Sequence, residues 1–440
     1  MSDPTAATTP TAAAMTLGCR LNQADTALMF DRLRREGFAI VRPESPGPID
    51  VLIVNTCTVT GTAAHKSRQA VRRFRRRHPE SCIVVTGCSA AIDKLLWEKE
   101  DGVDLLLPNT EKVNLVAHLQ RFRETSCRQA PGPATVFAPV FRERAAGKFP
   151  FKSRALLKVQ EGCNAFCTYC IVPYARGRER SRDWDEIVAE FQAMLAAGYR
   201  EVVITGVNVC TYRHRGRTLV DLLRQLASFP GDYRIRLSST EPHPDNRNLL
   251  AVMAETDKIC RFLHLSAQHG SDPILKAMNR HYTAAEFAAF VAAARERIPD
   301  IHIGTDMIVG FPGETDALFQ AACDFARTMA FANAHIFTFS PREGTPAATF
   351  PAQVPAAVAA ARHDELRRIC DATAREFRLG QVGKVLPVLF ENRNRAGEYI
   401  GWSDNYVQVA AADPDLRPNT LCRVRIAAMR PDGMLVAGKI

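Results

Sequence analysis

Residues 155–170 read Ala-Leu-Leu-Lys-Val-Gln-Glu-Gly-Cys-Asn-Ala-Phe-Cys-Thr-Tyr-Cys, a β-like run that empties into three cysteines, Cys163, Cys167 and Cys170. Three thiolates converging from one short loop are what a cubane 4Fe-4S cluster requires. Three ligands serve four irons, so one iron keeps an open position of the kind catalytic metal sites hold for substrate, here suited to an amine and a carboxylate. A structural zinc site usually takes four protein ligands, and no fourth adjoins this loop.

Downstream, strand-like runs alternate with helical stretches. ALLKVQ, EVVITGV, RIRLSST, FLHLS, HIGTDMIVG and AHIFTFS are separated by periodic segments such as 184–197 and 283–297. Six such units predict a partial parallel (β/α)6 barrel over 153–377, whose chemistry belongs at the C-terminal strand ends. Thr205, Ser238, Glu241, His264 and Gly310 fall at or just past such ends. After a helix at 362–377 the pattern changes to short strands with Gly and Asn-Arg turns, which predicts a small β-barrel over 378–440. Upstream, 15–125 alternates strands near 50–55 and 82–86 with helices, the pattern of an α/β sandwich domain. Residues 1–14 read as a disordered tail and the Pro- and Gly-bearing 126–152 as a linker.

Spaced as they are, with an aromatic before the last cysteine, Cys163, Cys167 and Cys170 resemble the signature of the radical S-adenosylmethionine (SAM) superfamily. That resemblance implies a 4Fe-4S cluster that reduces SAM to a 5′-deoxyadenosyl radical. It also implies that Tyr169 lies against the adenine, that Thr205 and Gly206 approach the methionyl group, and that Gly310, Gly313 and Glu314 run along the SAM site. Ser238, Glu241 and His264 join them as candidate cofactor-binding residues.

Three further cysteines precede this motif: Cys19 in TLGCRLNQADT, Cys57 in NTCTVT and Cys88 in TGCSA. Loops at one edge of an α/β sheet can gather such distant residues at one point, enough for a second cluster with an open iron. Singly, each is as well read as a half-buried thiol, a small hydrophobe. The three phrases in this order resemble the methylthiotransferase family over almost the whole chain. The resemblance implies an auxiliary 4Fe-4S cluster on Cys19, Cys57 and Cys88, a terminal RNA-binding barrel of the TRAM type, and sulfur insertion followed by methyl capping at an unactivated C–H bond. SAM would serve as both radical source and methyl donor.

Thr58 after Cys57, KSRQAVRRFRR, GVDLLLPNTEK and YIGWSDNYVQV are most similar to the branch acting on N6-threonylcarbamoyladenosine beside the tRNA anticodon, at position 37. Alternatives are the isopentenyladenosine and ribosomal-protein aspartate branches, or a non-catalytic iron–sulfur RNA-binding protein. HLHLSAQHG and TYRHRG depart from the family phrases, and His269 and His214 there read as structural or solvent-facing rather than acid–base groups.

Composition agrees with an intracellular catalyst on RNA. The chain has 440 residues, 46% hydrophobic, and lacks the roughly 18-residue apolar run of a membrane span. Thirteen cysteines without a secretory signal argue against a disulfide framework, so a cytoplasmic location is expected. The remaining seven, Cys82, Cys127, Cys210, Cys260, Cys323, Cys370 and Cys422, read as packing residues. The net charge of +10 concentrates at 66–77, where Lys66, Arg72, Arg73, Arg75 and Arg76 are candidate phosphate contacts for a tRNA anticodon stem-loop. Trp402, Tyr406, Arg423 and Arg425 in the terminal barrel are candidate stacking and phosphate groups. The chemistry implied needs a low-potential reductant such as flavodoxin or ferredoxin.

Overall fold

In the computed structural model, residues 9–58, 61–125, 140–143, 153–241 and 247–438 are described. The N-terminal region is a five-stranded parallel sheet, ordered Ala39–Ile40, Thr11–Thr16, Val51–Thr56, Cys82–Gly87, Leu105–Leu107. Alternation along the central strands divides its two faces. Leu52, Val54, Ile83 and Val85 pack with Val71 and Phe74 of the Gly61–Arg77 helix. Val51, Ile53 and Val84 pack with Met29, Leu33 and Leu119 of the Arg20–Arg35 and Leu115–Thr125 helices. Both central strands are buried on both faces, which explains their unbroken apolar reading.

The sheet corrects two expectations. Thr11–Thr16 is a strand, so the run 11–14 assigned to the disordered tail is ordered. Ala12 and Ala13 are fully buried, and small side chains suit a strand flanked on both sides. Within the expected linker, Val140–Phe141 pairs in parallel with Arg180–Arg182, and Phe141 is buried under Lys158 and Arg180.

The middle region is the expected partial parallel barrel. Ala155–Lys158, Glu201–Thr205 and Arg234–Leu237 form one sheet, and Ser239–Thr240, Phe262–Leu265, His302–Val309 and Asn333–Thr338 the next. A bridge between Ile235 and Ile259 and the chain itself join them. Its helices start where the sequence signals a start. Thr218 with Asp221 and Thr283 with Glu286 form capping boxes, and Asp183 accepts from the amides of Asp185 and Glu186.

The last helix, Ala356–Leu379, leads into a closed five-stranded barrel. One of its strands, Tyr399–Ser403, carries a glycine and a serine that weaken its strand pattern in the sequence. This barrel closes the N-terminal mouth of the larger one. Arg234 donates to the carbonyls of Pro387 (3.0 Å) and Trp402 (2.7 Å), and Arg236 to those of Ser403 (2.9 Å) and Asp404 (2.8 Å). Glu201, fully buried, accepts from both arginines at 2.6 and 2.8 Å. Among the described residues no helix is long and apolar enough to cross a membrane.

Candidate active site

Cys57 directly follows Val51–Thr56, Cys88 directly follows Cys82–Gly87, and Cys19 lies three residues past Thr11–Thr16. These strands are neighbours with aligned ends, Thr16 beside Asn55 and Thr56 beside Gly87. Two glycines let the loops close up. A Cβ on Gly18 would lie 2.9 Å from the Cys57 sulfur, and one on Gly87 would strike the Thr56 backbone; both glycines have positive φ. Asn22 then ties the loops together, its amide donating to the carbonyls of Leu17 (2.7 Å) and Thr56 (2.9 Å). The three cysteines expected to act as a set are therefore brought to one sheet edge.

The second trio lies on the loop after Ala155–Lys158. Gly162, at φ +73°, has the Arg178 carbonyl where a side chain would be, and Phe166 takes the uncommon φ of +46° that folds the loop back on itself. The loop is held from outside: Thr168 bonds the carbonyl of Ala277 at 2.8 Å, and Arg280 donates to the Cys167 sulfur at 3.3 Å. Burial pushes the Cys163 thiol up to about 11 and the Cys170 thiol to about 12. Thiols kept neutral by a desolvated pocket are reversed by a bound cation, which deprotonates them outright. Among the described residues no three His, Cys, Asp or Glu side chains close around a single metal ion. A cubane spreads its thiolates over the corners of a cage rather than closing them on one ion.

A buried ionic joint connects the two trios. Arg176, six residues past Cys170, donates to Asn22 Oδ1 at 2.5 Å, Asp25 at 3.0 Å and Glu161 at 2.7 Å. Lys112 (2.7 Å) and Lys158 (2.8 Å) also reach Asp25. Burial alone would push the Asp25 carboxyl up, but the three cations outweigh it and hold it well below the usual carboxylate range. Burial opposes the Arg176 charge as well, and Cys88, Asp25, Glu161 and Cys19 sustain it. The guanidinium thus lies in the field of the Cys19 and Cys88 loops. None of Asn22, Asp25, Lys112, Lys158 and Arg176 was singled out from sequence, because nothing marks a buried charge within a polar run.

The residues expected along SAM separate. Ser238 has a buried hydroxyl without a hydrogen-bond partner among the described residues, as a cradle for a polar ligand would leave it. Gly206 packs against Gln160, whose Oε1 accepts from the amides of Val207 (2.9 Å) and Asn208 (3.1 Å) and shapes the turn after Thr205. Glu241 pairs with Arg280 at 2.9 Å and accepts from Asn208 at 3.0 Å. His264 pairs with Asp306 at 3.0 Å. Tyr169 packs beside Ile274 and Met278. The missing side chain of Gly310 faces Ala359 of the last barrel helix, where a Cβ would sit 2.7 Å from the Ala359 Cβ. Gly313 faces open space. Glu314 is buried and held by His269 (3.0 Å) and Arg362 (2.8 Å), and His214 is buried beside Asp183, so both histidines are structural.

On the proposed RNA side the structure redistributes the candidates. Arg72, 61% exposed, is paired with Glu100 at 2.5 Å, and the half-buried Arg75 with Asp104, so each already has a carboxylate partner. Lys66, Arg73 and Arg76 are exposed on that helix, as are Arg423 and Arg425 on the terminal barrel. Trp402 and Tyr406 are not a stacking platform. They stack on each other at 4.6 Å, and Tyr406 turns inward against Phe262 and Arg236. The tight loop needs this inward turn, with Tyr406 at φ +58°. Cys260, Cys323 and Cys370 are buried, Cys82, Cys210 and Cys422 half-buried, and Cys127 lies outside the described residues.

Comparison with known proteins now has a geometry to meet. The radical SAM superfamily model matches residues 157–326, and that of the uncharacterized protein family UPF0004 matches 11–108. The chain is 34% identical to the threonylcarbamoyladenosine tRNA methylthiotransferase MtaB of Bacillus subtilis, covering 94% of this chain and 93% of that one. It is 36% identical to the protein of the same name from Thermotoga maritima, covering 89% of each. It is also 35% identical to the tRNA-2-methylthio-N(6)-dimethylallyladenosine synthase of Cereibacter sphaeroides, over 95% and 96%. Among solved structures, the radical SAM methyltransferase TsrM from Kitasatospora setae superposes with a TM-score of 0.59 at 16% identity, over 78% of this chain and 75% of that one, a likeness of fold. Full-length identity at this level, on a chain whose two cysteine loops meet across one buried joint, makes this protein a member of the radical-SAM methylthiotransferase family.

Proposed function

We propose that this enzyme attaches a methylthio group to C2 of N6-threonylcarbamoyladenosine at position 37 of tRNA. The observation that carries the reading is the joint itself: Arg176, just beyond the Cys163 loop, holds Asn22, which holds the Cys19 and Cys57 loops. Two sites that must act on one carbon are thereby fixed relative to each other. Cys163, Cys167 and Cys170 would hold the SAM-cleaving cluster, and Cys19, Cys57 and Cys88 the auxiliary one. When bound, these groups supply a 5′-deoxyadenosyl radical from one SAM, and a sulfur methylated by another.

The chain's own residues prepare that meeting. Arg280, beside the Cys167 sulfur and paired with Glu241, offsets negative charge at the second trio. Ser238 offers a free hydroxyl at a strand end, and Gln160 fixes the backbone that turns under Gly206. Exposed Lys66, Arg73 and Arg76 supply phosphate contacts, and an anticodon loop can splay its base toward the mouth at modest cost. A low-potential electron carrier of the flavodoxin or ferredoxin kind completes the system, and the reading places it in the cytoplasm.

Mass spectrometry of nucleosides from bulk tRNA, with and without the gene, tests the assignment. Loss of the methylthio form of threonylcarbamoyladenosine with accumulation of its precursor is expected. Loss of the methylthio dimethylallyl nucleoside instead would move the substrate to the branch represented by the Cereibacter relative.

A further inference from the structure

Strand register stacks the barrel interior in layers. Lys158 lies beside Thr205 and Leu156 beside Val203, one layer lower on the same face. Leu156 and Val203 back a cavity of about 350 Å³. Two residues of strand place it about 7 Å below Thr205. Arg20 and Gln23 of the helix that begins after Cys19, Tyr406 of the terminal barrel, Arg154 and Glu391 also line it. The cavity therefore lies between the helix of the auxiliary trio and the strands that lead to the SAM-cleaving one. Its size falls at the lower end of the roughly 300–1,000 Å³ typical of small-molecule sites.

The charges in this cavity do not balance. Arg20 is half-buried, and its guanidinium donates to the Tyr406 hydroxyl at 3.0 Å and lies 5.6 Å from that ring. No carboxylate among the described residues pairs with it. Arg154 is matched, by Glu391 at 2.8 Å. The lining thus carries one cation with donors to spare. Burial would push the Tyr406 hydroxyl up, yet Arg20, Arg154 and Arg236 together bring it below its usual value, the sign of a positive potential inside the cavity.

Resting on the substrate assigned above, we propose that this cavity receives the carboxylate of the threonylcarbamoyl group, with Arg20 as its ion-pair partner and Gln23 and Tyr406 as neighbouring hydrogen-bonding groups. A threonylcarbamoyl side chain carries a negative charge that a dimethylallyl one lacks, and a negative charge is what Arg20 leaves room for. A site built around such a charge rejects an analogue without it much more strongly than an apolar pocket rejects an added methylene. The cavity would thereby make Arg20 a specificity-determining residue.

The test uses the reconstituted full-length enzyme and an anticodon stem-loop carrying threonylcarbamoyladenosine, either as the free acid or with its carboxylate converted to the primary amide. Wild type should lose about 10²-fold in kcat/KM on the amide, mostly in KM. RNA binding measured by anisotropy should weaken in parallel. Arg20→Gln should lose a similar factor on the acid and show no further loss on the amide. Equal turnover of acid and amide by wild type would overturn the pocket assignment while leaving the substrate intact, and so would an Arg20→Gln enzyme that still discriminates between them. If wild type modifies neither form but accepts a dimethylallyladenosine stem-loop, the substrate reading fails and takes this inference with it.

Discussion

Replacing His302 with leucine should remove a large share of the protein's acid sensitivity. The ring sits in the barrel floor, 5.1 Å from Phe262, 5.3 Å from Phe377 and 5.9 Å from Tyr406 between ring centroids. Burial, reinforced by Arg236, His264 and Arg378 and opposed by the Asn405 backbone, lowers its pKa from 6.5 to about 3. The folded-state value is depressed, so the unfolded chain takes the proton first. Stability present above pH 6.5 is lost as the pH falls from 6.5 toward 3. At about 1.4 kcal/mol for each factor of ten, the loss reaches roughly 2 kcal/mol at pH 5. Leucine cannot be protonated and is close enough in size that the change at pH 8 should stay within about 1.5 kcal/mol. Urea unfolding of the cluster-free full chain at pH 8 and pH 5, followed by tryptophan fluorescence, measures both numbers. Trp402, stacked on Tyr406 in the same floor, reports on the region concerned. An equal pH 8 to pH 5 loss in wild type and variant would refute the reasoning.

Other consequences follow from the two trios and the helix surface. Cys163→Ala should abolish 5′-deoxyadenosine formation, whereas Cys57→Ala should retain SAM cleavage yet transfer no sulfur; parallel loss of both activities would show that the trios do not divide the work. Asp25→Ala strands Lys112, Lys158 and Arg176 without their shared carboxylate and should cost about 3–5 kcal/mol in a denaturant titration; a loss below about 1 kcal/mol would mean that water reaches the joint. Arg73→Ala and Arg76→Ala should each weaken tRNA binding and lower its salt slope by about 1. Arg72→Ala, which breaks the pair with Glu100, should leave that slope nearly unchanged, so a fall equal to that of Arg73→Ala would put Arg72 on the RNA after all.

The architecture was legible because its carriers are periodic. Six strand-like runs of the barrel and the strands ahead of Cys57 and Cys88 are rich in apolar β-formers, and each overlaps a strand of the fold. The cysteine trios were legible because ligand chemistry restricts spacing and residue type. What remained hidden lies in long-range pairing. Asp25 and Lys158 are 133 positions apart and look like ordinary surface charges until folding encloses them. Trp402 and Tyr406 look equally suited to stacking on bases or to filling a floor, and only the left-handed turn at Tyr406 and the carbonyls offered to Arg234 and Arg236 decide for the floor. The close packing at Gly310 was hidden in the same way, because the neighbour that excludes a side chain, Ala359, is 49 positions away in sequence.

The loop around 402–406 also limits how this enzyme can be rearranged. Its carbonyls satisfy Arg234 and Arg236, whose charges are balanced among the described residues by the carboxylate of Glu201. A chain cut after the Ala356–Leu379 helix would open two guanidinium groups and the aromatic patch of Phe262 to water. The terminal barrel is therefore a poor candidate for modular exchange. A chimaera that borrows this barrel from a relative with a different loop would have to import the matching strand residues 201, 234 and 236 along with it, so these positions and the loop should be inherited as one block.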